Sequence, residues 1–370
     1  MPSSRSLDLQ PSARTLGPPL LAFLVARALL FVAALTTNVG PLDPSSFRRW
    51  DSDQYLSIAH RGYYLIECAR TGYLPYGWCG NTGWMPAYPA VLDIVSTLTR
   101  LSPVAAGVVV SAGFEIAALR IAWRLLDERN FLVLLACALA PGMVYHHAIF
   151  PISMCAFFLL LTLSLLLRER WLGAGISSAV AAMTYSSGFL LAPIAGLFAA
   201  AVPARPTSRL RRSLVAGGVA IAGLAAVFAL HHATVGAWDA FMRVQAKYGH
   251  GVYLPTVVRL EAVRPLWTGT GSIAPALQAV VVAAGLIALT IWRRVAEFDA
   301  RDALFLGTAG IFWLVPLILG GVNLYRADAL IAPSLLVLRY APRWVNGVVV
   351  AGLATLAFFM AQLFFRGILV

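Results

Sequence analysis

Eleven apolar segments separated by polar loops run along the chain. Several approach the ~20 residues that a helix needs to cross a bilayer, and others are a few residues shorter. We interpret the first as an uncleaved signal anchor, because a cleaved signal peptide has a shorter apolar core. The pattern predicts an all-α polytopic membrane protein with spans at 17–38, 104–125, 131–149, 152–167, 171–186, 188–202, 213–232, 274–292, 303–320, 328–341 and 344–365.

Polar stretches interrupt this pattern at three places. Residues 1–16 are rich in Ser and Arg, and we expect a disordered cytoplasmic tail ahead of one transmembrane domain over 17–370. Residues 39–103 and 233–273 predict two long extracytoplasmic loops. Within the first loop, 84–101 is apolar but contains Pro86, Pro89 and Asp93, which favours an interfacial or re-entrant helix over a span. Residues 51–63 predict an amphipathic interfacial helix.

Composition agrees with a membrane protein and excludes other classes. The 370 residues are 60% hydrophobic and 12% charged, whereas soluble domains are about 45–50% apolar and about 25% charged. A soluble enzyme, a disordered chain and a secreted disulfide scaffold are therefore excluded. The net charge of +12 would suggest nucleic acid on a soluble chain. Here we expect no nucleic-acid partner, because arginine collects in the cytoplasmic loops of membrane proteins.

The arginine distribution orients the spans. With 84–101 kept outside the membrane, every short loop assigned to the cytoplasm is basic, whereas a full span there would invert all later loops. We therefore predict a cytoplasmic N-terminus and an extracytoplasmic C-terminus. Sixteen of the 28 basic residues then lie on the cytoplasmic side, namely Arg5, Arg14, Arg120, Arg124, Arg129, Arg168, Arg170, Arg205, Arg209, Arg211, Arg212, Arg293, Arg294, Arg301, Arg339 and Arg343.

Most of the unusual polar residues are then predicted at the extracytoplasmic face. Asp51 and Asp53 leave three interpretations open. They hold a divalent metal that bridges a phosphate, or one is a general base for a sugar hydroxyl, or both are only solvated or paired with arginine. Arg326 lies at the mouth of a span, where a guanidinium either binds a phosphate bidentately or extends to lipid headgroups.

A few further residues give weaker indications. Cys68 and Cys79 share the first loop, where an extracytoplasmic location allows them to form a disulfide. Arg27 and Glu115 lie at similar depths within their spans, and we expect them to pair with each other. His146, at an outer helix end, is either an interfacial residue or a ligand contact.

The string RWDSDQYLSIAHRGY is more specific than any of these. It resembles the first-loop motif of the PIG-V family of mannosyltransferases, matching at Arg49, Trp50, Asp51, Tyr55, Ile58, Ala59, Gly62 and Tyr63. The stretch MPAYP resembles a second family motif, with Met85 in place of Phe. The stretch WDAFMRVQAKYGHGVYLP, which contains Gln245, is similar to a segment of bacterial members. Residues 320–333, with Arg326, resemble a family element that contains an arginine.

The resemblance implies a GT-C-type membrane glycosyltransferase that takes a sugar from a polyprenyl-phosphate carrier, on the extracytoplasmic side of a bacterial plasma membrane. It implies that Asp51 is catalytic. We further expect Arg326, with Arg49, to bind the phosphate of the donor, because a guanidinium neutralises a leaving phosphate. The resemblance implies no cofactor, so a metal at Asp51 and Asp53 becomes the less favoured alternative. We expect the substrate-binding set to be Trp50, Asp53, Tyr55, Trp84, Tyr88, His146 and Gln245, with an interfacial-anchor role open for the tryptophans and tyrosines.

The predicted reaction is transfer of mannose or a related hexose to an outer-leaflet lipid, glycan or protein acceptor. Ile152 and Tyr185 depart from the family pattern, since many relatives carry an acid in the first region and an arginine at the second position. Two other classes remain open: a flippase for lipid-linked sugars, and a non-catalytic GT-C homologue that acts as a partner subunit. A flippase needs polar groups along a path through the bilayer, yet apart from Arg27, Glu115 and scattered Ser and Thr the middle of the membrane is apolar, while the polar residues lie at one face.

Overall fold

The residues that the structure describes form a bundle of helices with one small β-hairpin in the first loop. The computed structural model describes residues 13–72, 74–248, 273–319 and 324–369; residues 1–12 of the predicted tail, most of the second loop and the stretch 320–323 lie outside them. The last four residues of the predicted tail, 13–16, are not disordered but form the start of the first helix. The α-helices are α1 (Ala13–Leu35), α2 (Ser52–Arg61), α3 (Ala87–Thr99), α4 (Pro103–Leu125), α5 (Phe131–Ala138), α6 (Val144–His147), α7 (Ile152–Leu167), α8 (Trp171–Thr184), α9 (Leu191–Ala201), α10 (Pro206–Ser213), α11 (Val219–Val235), α12 (Ala240–Ala246), α13 (Ala274–Ala296), α14 (Ala300–Ile318), α15 (Leu324–Ala327), α16 (Ala332–Leu335) and α17 (Arg343–Phe365).

Six of the described helical segments are long and apolar enough to cross a membrane. They are α1, α4, α13, α14, α17 and the continuous run of α10 and α11, which a π-helical turn at Leu214–Gly218 joins into a segment of 30 residues. Three shorter apolar helices, at Ile152–Leu167, Trp171–Thr184 and Ser186–Ala201, accompany them. The chain is therefore an integral membrane protein of helical architecture, as its sequence predicts.

The prediction of eleven uninterrupted spans is not confirmed, because two of the segments are broken. In 131–149, helix α5 ends at Ala138, since Pro141 cannot donate a backbone hydrogen bond and Gly142 has a left-handed φ of +77°. In 328–341, the chain makes two short 3₁₀ turns on either side of α16. Both broken segments are buried in protein, which is where irregular backbone is tolerated at membrane depth.

Small residues let the central helices approach each other closely. Helix α8 packs against α7 and α11, and α4 packs against α7. A Cβ atom added at Gly223 of α11 would lie 2.4 Å from the carbonyl oxygen of Ala179, and one added at Gly175 would lie 2.8 Å from that of Val215. Close backbone contacts of this kind are typical of membrane bundles, where van der Waals packing rather than the hydrophobic effect holds helices together.

The first loop folds into a compact unit. After α2, strands β1 (Leu65–Glu67) and β2 (Trp78–Gly80) pair antiparallel, and a disulfide joins Cys68 to Cys79. Asn81 follows β2, and its side chain donates to the carbonyl oxygen of Gly62 at 2.9 Å and accepts from the backbone amide of Tyr64 at 2.9 Å. The hairpin is thereby fastened to the end of α2, and α3 follows in the region for which we predict an interfacial helix.

The two ends of the bundle differ in chemistry. Helix α17 has 23 residues, so its ends are about 34 Å apart. Near its start, Asp302 is fully buried and accepts from Arg293 at 2.7 Å, with Arg339 at 3.6 Å. Near its end, the carbonyl oxygen of Phe365 accepts from Arg49 of the first loop. We call these the Asp302 end and the first-loop end of the bundle.

Candidate active site

The start of α2 presents a carboxylate at the first-loop end. Asp51 is the N-cap residue of α2, and its backbone carbonyl accepts from the amide of Tyr55 at 3.2 Å. Just before it, Trp50 has a φ of +47°, a backbone conformation that is uncommon for a residue other than glycine. The side chain of Asp51 is directed to Arg326 rather than to the first turn of α2.

An ion pair joins two segments that are 275 positions apart in the chain. Nη1 of Arg326, in the short helix α15, donates to Oδ2 of Asp51. The side chain of Arg326 is only 4% exposed, whereas that of Asp51 is 28% exposed. The carboxylate is therefore the accessible member of the pair. A ligand that approaches the guanidinium from solvent meets the carboxylate first.

Aromatic rings surround the ion pair. The guanidinium carbon of Arg326 lies 5.1 Å from the ring centre of Phe150 and 5.7 Å from that of Tyr145, distances at which a ring face attracts a cation. Tyr185, one of the two departures from the family pattern, lies within electrostatic range of both charged groups. An arginine site walled by rings has few competing water molecules, so its charge acts strongly on any anion that reaches it.

Tyr55 is a buried neutral member of this site. Its ring packs edge-on against those of Tyr88, at 5.5 Å, and Phe150, at 6.3 Å. Burial, and secondarily the negative charge of Asp51, hold the pKa of the Tyr55 phenol well above its usual value. Tyr55 is therefore protonated at physiological pH and is not a candidate for the base.

Buried polar contacts hold the segment that carries Arg326. Asp328 is fully buried, and its carboxylate accepts from Nε2 of Gln278 at 2.6 Å and from Nε1 of Trp313 at 3.0 Å. On another side, Gly142 approaches so closely that an added Cβ would lie 2.6 Å from the carbonyl oxygen of Tyr325. Sequence reasoning missed these contacts, although the isolated polar residues Gln278 and Asp328 in apolar segments were a signal for them.

The pairing that we expected between Arg27 and Glu115 is wrong. Glu115 instead lies beside His146, with 2.7 Å between Oε2 and Nδ1, and Arg27 lies over the ring of Phe47 at 4.1 Å. Equal depth in the membrane does not specify which way a side chain points around its helix, and Glu115 points toward α6. Nε2 of His146 forms a hydrogen bond with the carbonyl oxygen of Ala329 at 2.9 Å, so the imidazole ring lies between Glu115 and the segment that follows Arg326.

Arg49 and Asp53 do not join the ion pair. Arg49 donates to backbone carbonyl oxygens, of Arg48 at 2.9 Å and of Phe365 at 3.2 Å. Asp53 is exposed and accepts from Arg48 at 2.5 Å. The two acids of the DSD triplet thus have different arginine partners, and within the described residues no group of three His, Cys, Asp or Glu side chains is arranged to hold a metal.

The remaining expected substrate contacts are mostly used inside the fold. Trp84 is buried and its carbonyl oxygen accepts from Tyr63 at 2.8 Å, and the hydroxyl of the fully buried Tyr88 contacts that of Ser111 at 3.0 Å. Gln245 donates to the carbonyl oxygen of Gly83 at 2.9 Å. Trp50, by contrast, is 45% exposed beside Asp51.

An apolar cavity of about 1290 Å³ lies beside this site, between α13, α17 and the residues that follow α15. Leu277 and Val281 of α13 line it, while Gln278, on the same helix, contacts the Arg326 segment. Ile331 and Leu335, just after that segment, line it from the other side. The cavity wall is almost entirely apolar, and it includes a residue next to Gln278 in the sequence and one two positions after Ala329.

Comparisons with known proteins identify the fold. No protein-family model and no curated protein sequence matches the chain. Its structure is similar to that of the oligosaccharyltransferase AglB from Archaeoglobus fulgidus, solved with an inhibitory peptide and a dolichol-phosphate, with a TM-score of 0.50 and 14% identity over 95% of this chain and 56% of that one. The apo form of that enzyme gives a TM-score of 0.50 at 13% identity, also over 95% and 56% of the two chains.

ArnT from Cupriavidus metallidurans, bound to undecaprenyl phosphate, gives a TM-score of 0.46 at 15% identity over 94% of this chain and 77% of that one. The chain spans 52–56% of the length of the Archaeoglobus fulgidus oligosaccharyltransferase chains that it matches. The likeness to AglB shows a shared fold.

Proposed function

We propose that the protein transfers a sugar from a polyprenyl-phosphate-sugar donor to an acceptor hydroxyl at the first-loop end of the bundle. The Asp51–Arg326 pair is the observation that carries this proposal. It places a partly accessible carboxylate against a buried guanidinium, which are the two groups that a glycosyl transfer with a phosphate leaving group needs. The shared fold with AglB, which was solved with a dolichol-phosphate, supports the same class of donor.

The two groups are paired with each other in the structure, and the donor changes that pairing. A donor phosphate that binds Arg326 competes with Asp51 for the same guanidinium, which binds phosphate and carboxylate through similar hydrogen bonds. Once displaced, the Asp51 carboxylate is free to accept the proton of the attacking hydroxyl. The negative charge that develops on the leaving phosphate is stabilised by Arg326, whose orientation is already set by the buried contacts around it.

The apolar cavity provides a place for the lipid part of the donor. Its lining of α13 and α17 side chains suits a polyprenyl chain, and it ends beside the segment that carries Arg326. The phosphate of a lipid held there would lie next to the guanidinium. Arg49 donates a hydrogen bond to the backbone of Phe365, so we assign it a supporting role as a second cation at the first-loop end of the bundle.

The finer assignments come from the resemblance to PIG-V enzymes. They are mannose or a related hexose as the sugar, an outer-leaflet lipid, glycan or protein as the acceptor, and an extracytoplasmic active site. The arginine pattern supports this orientation, because the Asp302 end of the bundle collects Arg293, Arg301 and Arg339.

Sugar transfer in reconstituted liposomes tests the proposal, with polyprenyl-phosphate-mannose as donor and polyprenyl phosphate as a binding probe. Asp51→Asn should lower turnover by about 10²–10⁴-fold, the usual contribution of a general base. The same variant should bind polyprenyl phosphate more tightly than the wild type, because its neutral amide competes poorly for Arg326. Arg326→Ala should lose both binding and turnover.

Asp239→Asn is the matched control, since Asp239 forms an exposed pair with Arg243 at 2.8 Å in the second loop. Full turnover in Asp51→Asn would refute the base assignment. Normal lipid-phosphate binding in Arg326→Ala would refute the phosphate assignment. Movement of the donor across the bilayer without sugar transfer would favour a flippase, and binding without either activity would favour a non-catalytic homologue.

A further inference from the structure

A buried acid and a buried histidine lie behind the ion pair, outside the groups that would touch substrate. Glu115 of α4 is 3% exposed and His146 of α6 is 5% exposed, and Oε2 of the first lies 2.7 Å from Nδ1 of the second. The other ring nitrogen, Nε2, lies 2.9 Å from the carbonyl oxygen of Ala329. Burying such a pair is costly unless its polar atoms find partners, so its presence calls for an explanation.

The chemistry of these contacts determines where the protons lie. A carbonyl oxygen only accepts, so Nε2 of His146 carries a proton and donates it to Ala329. One further proton lies between Nδ1 and the carboxylate of Glu115, because two bare acceptors at 2.7 Å would repel each other. The hydrogen bond from Nε2 to Ala329 fixes one nitrogen of the imidazole ring, and the Glu115 carboxylate lies against the other nitrogen.

Ala329 belongs to the segment that carries the guanidinium. It lies in the 3₁₀ turn Asp328–Leu330, which directly follows the helix containing Arg326. Gln278 and Trp313 hold this segment from one side, through Asp328. His146 holds it from another side, through a bond to its backbone, and the residue before His146 is Tyr145, whose ring lies beside Arg326.

We infer that His146, buried beside Glu115, is a positioning residue for Arg326. It holds the backbone of the Arg326 segment so that the guanidinium reaches the donor phosphate in one fixed geometry. The inference rests on the proposed function, since it assigns His146 a role in binding and expelling the phosphate of that same donor. Small misplacements of a catalytic group are expensive, and a shift of about 1 Å costs up to 10²-fold in rate.

Two substitutions of His146 separate its two contacts. In His146→Gln the amide nitrogen occupies the place of Nε2, so the bond to Ala329 is kept while the contact with Glu115 is lost. In His146→Asn the amide nitrogen occupies the place of Nδ1, so the contact with Glu115 is kept and the bond to Ala329 is lost. Both variants remove the same imidazole from the same buried place, so a general packing defect should affect them alike.

The expected result is a large difference between the two variants. His146→Asn should lower kcat on the order of 10–100-fold, the range that misplacement allows, with the acceptor KM unchanged. His146→Gln should retain most of the wild-type kcat. His147→Asn is the matched control, because the neighbouring His147 is also buried but has no hydrogen-bond partner among the described residues. The kcat of this variant should stay near that of the wild type. Equal losses in the two His146 variants, at equal folded yield, would overturn the inference.

Hydrogen exchange provides a readout that does not need the reaction. Backbone amides of 324–331 should exchange faster in His146→Asn than in the wild type, while His146→Gln should protect them. If the wild type proves to transfer no sugar, the proposed function fails while this exchange pattern still reports on positioning. If the wild type is active but exchange and kcat are the same in both variants, only the positioning role fails.

Discussion

The disulfide between Cys68 and Cys79 should set how often the first-loop hairpin opens. It closes a loop with a sequence separation of 11. Under the chain-entropy relation, a loop of this length loses roughly 9 cal/mol/K in the open ensemble, which is about 2.8 kcal/mol at 25 °C. Because about 1.4 kcal/mol corresponds to a factor of ten in an equilibrium constant, removing the bond should raise the open fraction of the hairpin about 100-fold.

Limited proteolysis measures this opening directly. Arg70 is exposed in the turn Cys68–Thr71, within the loop that the disulfide closes, and provides a trypsin site. When opening and closing are fast relative to cleavage, the cleavage rate follows the open population. The double variant Cys68→Ser/Cys79→Ser should therefore be cut at Arg70 about 100-fold faster than the wild type.

The free, buried Cys155 supplies the control. Cys155→Ala removes a thiol without touching the hairpin, so its cleavage rate at Arg70 should match that of the wild type. A rate increase of less than about tenfold in the double variant, equivalent to ~1.4 kcal/mol, would refute the reasoning. It would mean that the bonds of Asn81 to the end of α2 already hold the hairpin closed.

Two further predictions concern opposite ends of the bundle. Gly142→Ala should destabilise the protein by about 1–3 kcal/mol, because residue 142 has a left-handed backbone conformation. It should also lower sugar transfer, because the new Cβ would push on the backbone of Tyr325 beside the ion pair. Thermal unfolding measures the first effect and a transfer assay the second. Asp302→Ala should lower the free energy of unfolding by about 3–5 kcal/mol, because Arg293 stays buried without its carboxylate partner. The KM of the folded variant for the donor should be unchanged. An altered KM would argue against separate roles for the two ends of the bundle.

Much of the fold could be predicted from the sequence because long apolar segments allow few alternatives. Helices α1, α4, α13 and α17 begin or end close to the predicted bounds, since a bilayer demands length and apolar composition together. The same logic failed at 131–149 and 328–341. These stretches are apolar because they are buried in protein, and composition alone cannot distinguish that burial from contact with lipid. Pro141 and Gly142 marked the first break, but apolar composition outweighed them in our prediction.

The candidate site could likewise be predicted from the sequence only in part. Asp51 and Arg326 were found through short motifs and through their positions at the predicted outer face. The contact between them joins the start and the end of the chain, and no local pattern in one sequence contains that information. The predicted partner of Glu115 was wrong for the same reason. Sequence spacing gives the depth of a residue along its helix, but which neighbouring helix its side chain faces depends on how the helices pack. Contacts through the backbone, such as that of His146 with Ala329, leave no side-chain signal at the accepting residue.

Two aspartate–arginine pairs at opposite ends of the bundle differ in a way that bears on function. In the Asp302–Arg293 pair the acid is completely buried and the arginine is 9% exposed. In the Asp51–Arg326 pair the order is reversed, with the acid at 28% and the arginine at 4%. A pair that only stabilises the fold is expected to keep its carboxylate shielded from solvent between cations, as that of Asp302 is between Arg293 and Arg339. An accessible carboxylate on a buried guanidinium gives up part of that shielding, and it leaves an entry for a ligand that can replace the acid. This contrast within one molecule supports a substrate role for Asp51 and Arg326 more directly than the presence of either residue does.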